Sequence, residues 1–91
     1  MSAIRPKSKQ LQDRALKSIP LGVNSNFRFW GEGITPYIEH AKGAYLWDVD
    51  GNRYIDYRLA FGPIILGHAY ADVNDVVHAE IDRAVLGAMT S

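Results

Sequence analysis

Between Gly43 and Tyr57 the chain alternates with a period of two. Tyr45, Trp47 and Val49 fall on one side, and Ala44, Leu46 and Asp48 on the other. Further on, Arg53, Ile55 and Tyr57 alternate with Tyr54 and Asp56. Aromatic and β-branched residues at that period form strands. Asp50-Gly51-Asn52 separates the two runs, and Asp-Gly tolerates the positive φ of a tight turn. The pattern predicts a β-hairpin. Pro36-Tyr37-Ile38-Glu39-His40-Ala41 reads as a third strand beside it, with His40 at the surface and Lys42-Gly43 as a turn.

Helical spacing marks the two ends. From about Ser8, Leu11, Ala15, Leu16 and Ile19 recur with polar residues between them, which predicts a short amphipathic helix ended by Pro20. Residues 1–7 read as a disordered tail. From about Tyr70 to near Gly87, Val73, Val76, Val77, Ile81, Ala84, Val85 and Ala88 form one stripe. Asn74, Asp75, His78, Asp82 and Arg83 lie opposite, so His78 reads as a solvated helix residue.

Two loops stand out between these elements. Leu21–Gly33 mixes Gly, Asn and Ser with bulky aromatics. In one reading Phe27, Phe29 and Trp30 hold it to the core; in the other it presents Asn24, Ser25 and Arg28 to a ligand, as loops often do. Leu59–His68 is apolar and contains Gly62, Pro63 and Gly67. A soluble domain rarely exposes so much contiguous apolar surface, so this segment is expected to be covered by a partner. His68 either caps the following helix or orders the loop. Lys42, at a turn, reads as solvated rather than as an imine-forming lysine.

Composition narrows the classes. A chain of 91 residues forms one small domain with a modest core. Its hydrophobic content of 47% is that of a globular protein rather than a disordered one. There is no cysteine, hence no disulfide and no thiolate metal site. No apolar run approaches membrane-spanning length. The start is basic and acid-poor, with no apolar segment after it; no secretory signal is expected, an organelle-transit reading stays open, and a cytoplasmic location is expected. Net charge is zero but divided: residues 1–30 carry six basic groups against Asp13, and the remainder is acidic. A basic head can bind nucleic acid, but this one lacks interleaved aromatics and dense arginine, and no nucleic-acid partner is expected.

Asp48-x-Asp50-x-Asn52 also resembles the start of an EF-hand calcium loop, whose oxygen ligands suit a hard cation. The sixth position needs glycine and has Arg53. The twelfth needs a bidentate glutamate and has Leu59. The flanks are strands, not helices. No metal site is expected.

Three motifs taken together carry a resemblance. They are Gly22-Val23-Asn24-Ser25-x-x-Arg28, the run Gly43–Tyr57, and Gly62-Pro63-Ile64-Ile65-Leu66-Gly67-His68. In this order and spacing the chain, from about residue 11 to its end, resembles the N-terminal segment of class III pyridoxal-phosphate-dependent aminotransferases, closest to the glutamate-1-semialdehyde 2,1-aminomutase branch and its aminotransferase relatives. The resemblance implies an α+β fragment (helix, small antiparallel sheet with a hairpin, helix) forming the N-terminal part of a fold-type I α/β enzyme, with residues 8–91 as that segment. It implies a longer, homodimeric, cytoplasmic parent that uses pyridoxal 5'-phosphate on a small-molecule amino-acid substrate. The Schiff-base lysine, the acidic partner of the pyridine nitrogen and the main phosphate-binding turn are expected beyond Ser91, so the chain alone is expected to be inert, with no catalytic residue of its own.

The same resemblance assigns Arg28 to the substrate carboxylate, Ser25 to hydrogen bonding nearby, and Phe61 with Gly62 to the shape of the substrate pocket. A planar guanidinium fork suits a carboxylate. Asn26 stands where the branch has proline, Phe27 where it has a smaller aliphatic residue, and Phe61 where it has tryptophan. These departures favour a related aminotransferase with another amino donor. The alternative is a small non-catalytic binding module that docks through Phe61–Leu66.

Overall fold

The computed structural model describes residues 4–83. Two helices, α1 (Pro6–Ala15) and α2 (Ala71–Ile81), flank a three-stranded antiparallel sheet. Its strands are β1 (Ile38–Lys42), β2 (Tyr45–Asp48) and β3 (Arg53–Ile55), in spatial order β1-β2-β3. Single 3₁₀ turns occur at Pro20–Gly22, Asn26–Arg28 and Leu59–Phe61. Among these residues no helix is long and apolar enough to cross a membrane.

The hairpin forms where the alternation predicts it. Tyr45 pairs with Ile55, Leu46 with Tyr54 and Trp47 with Arg53. The turn is one residue longer than Asp50-Gly51-Asn52, because Val49 leaves the ladder and donates its N–H to the Tyr37 carbonyl. Gly51 supplies the positive φ, +86°. β1 pairs with β2 through a bulge between Ile38 and His40. His40 is exposed and stacks on Trp47, with ring centroids 4.8 Å apart and planes within 11°.

Helix α1 differs from its sequence pattern in extent and in the face it buries. It begins at Pro6, inside the stretch read as a tail, with proline in the first turn, where its missing N–H costs no intrahelical bond. It ends at Ala15, and Leu16–Ile19 continue as turns toward Pro20. The buried residues are Ser8 and Gln12, not the apolar stripe; Leu16 and Ile19 are exposed. The reason lies in the loop that α1 covers. Buried backbone N–H groups outside a ladder need acceptors. The Ser8 hydroxyl accepts the N–H of Tyr37 at 3.1 Å, and Gln12 Oε1 accepts that of Gly33 at 2.8 Å.

The Leu21–Gly33 loop is held by such polar contacts together with the half-buried Phe29. Thr35 Oγ1 accepts the N–H of Trp30 and donates to the Gly31 carbonyl, and the Tyr37 hydroxyl donates to the Gly22 carbonyl. Phe27 and Trp30 are exposed. The fully buried side chains are Ser8, Gln12 and Asp48; no apolar side chain among the described residues is. The α2 stripe follows suit: Val73, Val76, Val77 and Ile81 face solvent, while Ala84, Val85 and Ala88 lie outside the described residues.

Candidate substrate-binding site

Three aspartates of the hairpin region accept hydrogen bonds in three different directions. Asp48 Oδ1 takes the N–H groups of Asp50 and Asn52, at 3.0 and 2.9 Å; its Oδ2 takes the Tyr54 hydroxyl at 2.7 Å and the Asn52 side-chain amide at 3.0 Å. Arg5 closes this cluster. Its Nε donates to the Tyr54 oxygen at 2.9 Å and lies 3.7 Å from Asp48 Oδ2, with Arg5 and Asp48 side chains 7% and 0% exposed. Burial alone would raise the Asp48 pKa, but these hydrogen bonds outweigh it and hold it below the usual carboxylate value. Asp50 faces the other way, onto the start of α1. Asp56 faces the loop that follows β3. Asp48, Asp50 and Asp56 therefore do not converge, and among the described residues no three His, Asp or Glu side chains form a group that could hold an ion.

The residues assigned to substrate lie on two turns. In the Asn26–Arg28 turn the Arg28 N–H bonds the Ser25 carbonyl at 2.9 Å, so the three-residue spacing closes one 3₁₀ turn. Ser25 is half-buried and Arg28 is exposed, with no side-chain hydrogen bond or ion pair among the described residues. Trp30 is not stacked under Arg28; the guanidinium 5.9 Å from its centroid is that of Arg5. The second turn is Leu59–Phe61, followed by Gly62. Phe27 meets Phe61 edge-on, ring centroids 6.2 Å apart and planes at 64°. This contact brings the turn bearing Ser25 and Arg28 beside the turn bearing Phe61 and Gly62. Both rings are open to solvent, 69% and 63% exposed.

The second turn has an unusual backbone. Leu59, Ala60 and Phe61 all have positive φ, +49°, +54° and +64°, followed by Gly62 at +127°. For residues with a Cβ this region is strained, and such strain persists only where the surroundings impose it. Here Asp56 Oδ1 accepts the N–H groups of Arg58 and Leu59, at 2.9 and 3.0 Å. At the far end His68 exchanges both backbone hydrogen bonds with Gly43, each 2.9 Å, and its Nε2 lies 2.6 Å from Asp56 Oδ2. That contact is the largest cause of a lowered Asp56 pKa. His68 thus orders the loop rather than capping α2, whose N-cap is Tyr70.

The comparisons with known proteins bear on what these turns serve. The class-III aminotransferase family matches residues 30–90. The chain belongs to this family. It is 49% identical over 85 residues to glutamate-1-semialdehyde 2,1-aminomutase of Heliobacterium modesticaldum, a match covering 91% of this chain and 20% of that protein. An omega-transaminase from Sphaerobacter thermophilus superposes with a TM-score of 0.82 at 28% identity, over 93% of this chain and 19% of that one. A transaminase with pyridoxal phosphate bound superposes at 0.85, again at 28% identity, over 99% of this chain and 21% of that one. The chain spans about a fifth of the length of these relatives.

No lysine of this segment fits the family's cofactor as an imine former. An imine-forming lysine is typically desolvated so that its amine stays neutral. Lys7, Lys9, Lys17 and Lys42 are all exposed, and Lys9 is paired with Asp13 at 2.9 Å.

Ser25 and Arg28 are legible in the sequence as loop residues, but the 3₁₀ turn between them is not. Nor is the nearness of Phe27 to Phe61, since no local pattern encodes it. Arg5 was also missed, because a basic residue in a short polar stretch looks like tail. Asp56 carried a readable signal: an aspartate where a strand gives way to a loop favours an Asx turn, its carboxylate accepting the N–H two residues on.

Proposed function

We propose that this chain is the N-terminal, substrate-facing segment of a pyridoxal-phosphate-dependent aminotransferase or aminomutase that moves an amino group on an amino-acid-type substrate. The observation that supports this reading is the Phe27–Phe61 edge contact, which links the turn that carries Arg28 to the turn that carries Phe61 and Gly62. Arg28 offers a two-pronged donor to a carboxylate. Ser25, on the same turn, offers a hydroxyl nearby. Phe61 and Gly62 shape the space for the side chain. When bound in the parent enzyme, the cofactor supplies the electron sink for proton shifts at the amine carbon; the residues here bind and orient. Phenylalanine at position 61 and Asn26-Phe27 before Arg28 favour an aminotransferase over an aminomutase. The parent is read as a cytoplasmic homodimer, and the segment alone as inert.

A second reading has its own observation. Phe61, Ile65 and Leu66 are exposed, as a docking surface requires, so a non-catalytic module binding through Phe61–Leu66 remains the alternative. One experiment separates the two. The matching segment of the Heliobacterium modesticaldum aminomutase is replaced by this chain, and turnover of a panel of amino acids is measured. Turnover that falls on Arg28→Ala supports the enzyme reading. A folded, cofactor-loaded chimera that turns over no amino acid overturns it.

A further inference from the structure

The strained Phe61 turn is clamped at both ends by one pair of side chains. Asp56 and His68 are 12 residues apart, in contact at 2.6 Å, and only 8% and 17% exposed. Asp56 uses one oxygen to hold the N–H groups of Arg58 and Leu59 and the other to hold His68. His68 is fixed in turn by its two backbone bonds to Gly43, at the end of β1. The pair therefore ties the loop to the sheet just where the left-handed run begins. Beyond this pair the tip is held by its own backbone bonds, from Phe61 N–H to the Arg58 carbonyl at 2.9 Å and from the Gly62 and Ile64 N–H groups to the Leu59 carbonyl at 3.0 and 3.2 Å, by the edge of Phe27, and by the Arg58 guanidinium 5.7 Å from the Phe61 ring. Three consecutive non-glycine residues with positive φ relax toward ordinary backbone angles when the bonds imposing them are lost. Phe61 would then leave Phe27.

We propose that Asp56 and His68 are positioning residues that set the spacing between the Phe61–Gly62 turn and the Arg28 turn, and through it the size of side chain the substrate site accepts. The positioning half stands on the geometry alone; the substrate half rests on the function proposed above. His68 reaches no substrate itself. Its influence passes through Asp56 and the loop backbone.

Two measurements test the two halves separately. In the 91-residue chain, nuclear Overhauser contacts between the Phe27 and Phe61 rings and the amide shifts of Phe61 and Gly62 are compared across variants. His68→Ala should abolish the ring contact and move both amides. His68→Gln, whose amide can still donate to Asp56, should restore part of both. His40→Ala, which removes an exposed stack on Trp47, serves as the control. Ring contacts and shifts in His68→Ala that match the His40→Ala control overturn the positioning role, whatever the function of the parent. In the chimera, His68→Ala should change the ratio of kcat/KM for a bulky against a small amino acid by about tenfold, the scale of a pocket altered by one or two methylenes. The change should lie mainly in KM, with partial return in His68→Gln. Equal losses on both substrates overturn the specificity role while leaving the aminotransferase reading intact; a chimera without turnover counts against that reading and leaves the spectroscopic result to judge the clamp.

Discussion

Ser8 donates its backbone N–H to Asp50, 42 residues later in the chain, at 2.9 Å, and Lys7 donates to the other oxygen of the same carboxylate at 2.7 Å. The N-cap of α1 is Arg5, which has no side-chain oxygen to offer, so the hairpin turn caps the helix from outside. A carboxylate suits that end both as an acceptor and as a negative charge beside the positive end of the helix dipole. The Asp50 pKa is lowered: partial burial opposes the charge, and the bonds from Ser8 and Lys7 outweigh it. Asp50→Ala should release the first turn of α1, and with it the Ser8 hydroxyl that holds Tyr37. Amide exchange at Ser8 and Tyr37 should quicken by roughly fivefold or more, on the scale of a lost cap. Asp50→Asn should keep part of the protection. Unchanged exchange at both amides in Asp50→Ala would show that α1 docks by other means.

That relationship also shows what a sequence can and cannot disclose here. The hairpin is legible because a period of two and an Asp-Gly turn are local signals, and β2 and β3 form on them. The docking of α1 is not legible. Helical spacing marks Leu11, Ala15 and Leu16, whereas the described structure buries Ser8 and Gln12 to satisfy a loop whose N–H groups have no ladder. For the candidate site, the sequence marks Ser25 and Arg28 only as members of a polar and aromatic loop; the 3₁₀ turn that links them is seen in the structure. The approach of Phe27 to Phe61 depends on the Asp56–His68 clamp, which joins residues that share no periodicity.

Acid should act on the clamp and the turn together. Asp48, Asp50 and Asp56 all have pKa values lowered in the folded chain. For Asp56 the hydrogen bond to His68 leads; for Asp48 and Asp50 burial opposes and hydrogen bonds prevail. A depressed folded value means stability that is present above the ordinary aspartate pKa of about 3.9 and lost as pH falls through the folded values. The amide signals of Ser8 and Asn52, bonded to Asp50 and Asp48, should therefore hold steady above about pH 5 and move only below the ordinary value. Midpoints at or above that value would contradict the hydrogen-bond account.

Gly43 and Gly67 should respond differently to the same substitution. A Cβ on Gly67 would lie 3.1 to 3.2 Å from the Cα, C and O atoms of Gly43, at φ +83°. A Cβ on Gly43, at φ +57°, would meet nothing within 4 Å. Gly43→Ala therefore carries only the left-handed penalty, about 1–2 kcal/mol. Gly67→Ala carries that strain and a clash of backbone with backbone, which neither strand can yield without opening the Gly43–His68 bridge. Amide exchange at His68 and the melting temperature should both report the larger loss for Gly67→Ala. The reverse order would mean that the bridge is not closely packed.

Arg28 decides whether the two turns form a substrate site. It is exposed and makes no ion pair among the described residues, and the ring of Trp30 is already faced by Arg5. A guanidinium so placed has no evident packing role, and its fork matches a carboxylate. Hydrogen bonds to a charged group contribute roughly 1.5–3 kcal/mol. In the chimera, Arg28→Ala should then lower kcat/KM for carboxylate substrates by about ten- to a hundred-fold, since each 1.4 kcal/mol is about tenfold. Amine substrates without the carboxylate should lose far less. Arg28→Lys should recover only part, because an ammonium keeps the charge without the planar fork. The deciding measurement is one matched pair of substrates, with and without the carboxylate. A difference between them assigns Arg28 to the substrate; equal losses on both make it a residue of the loop alone.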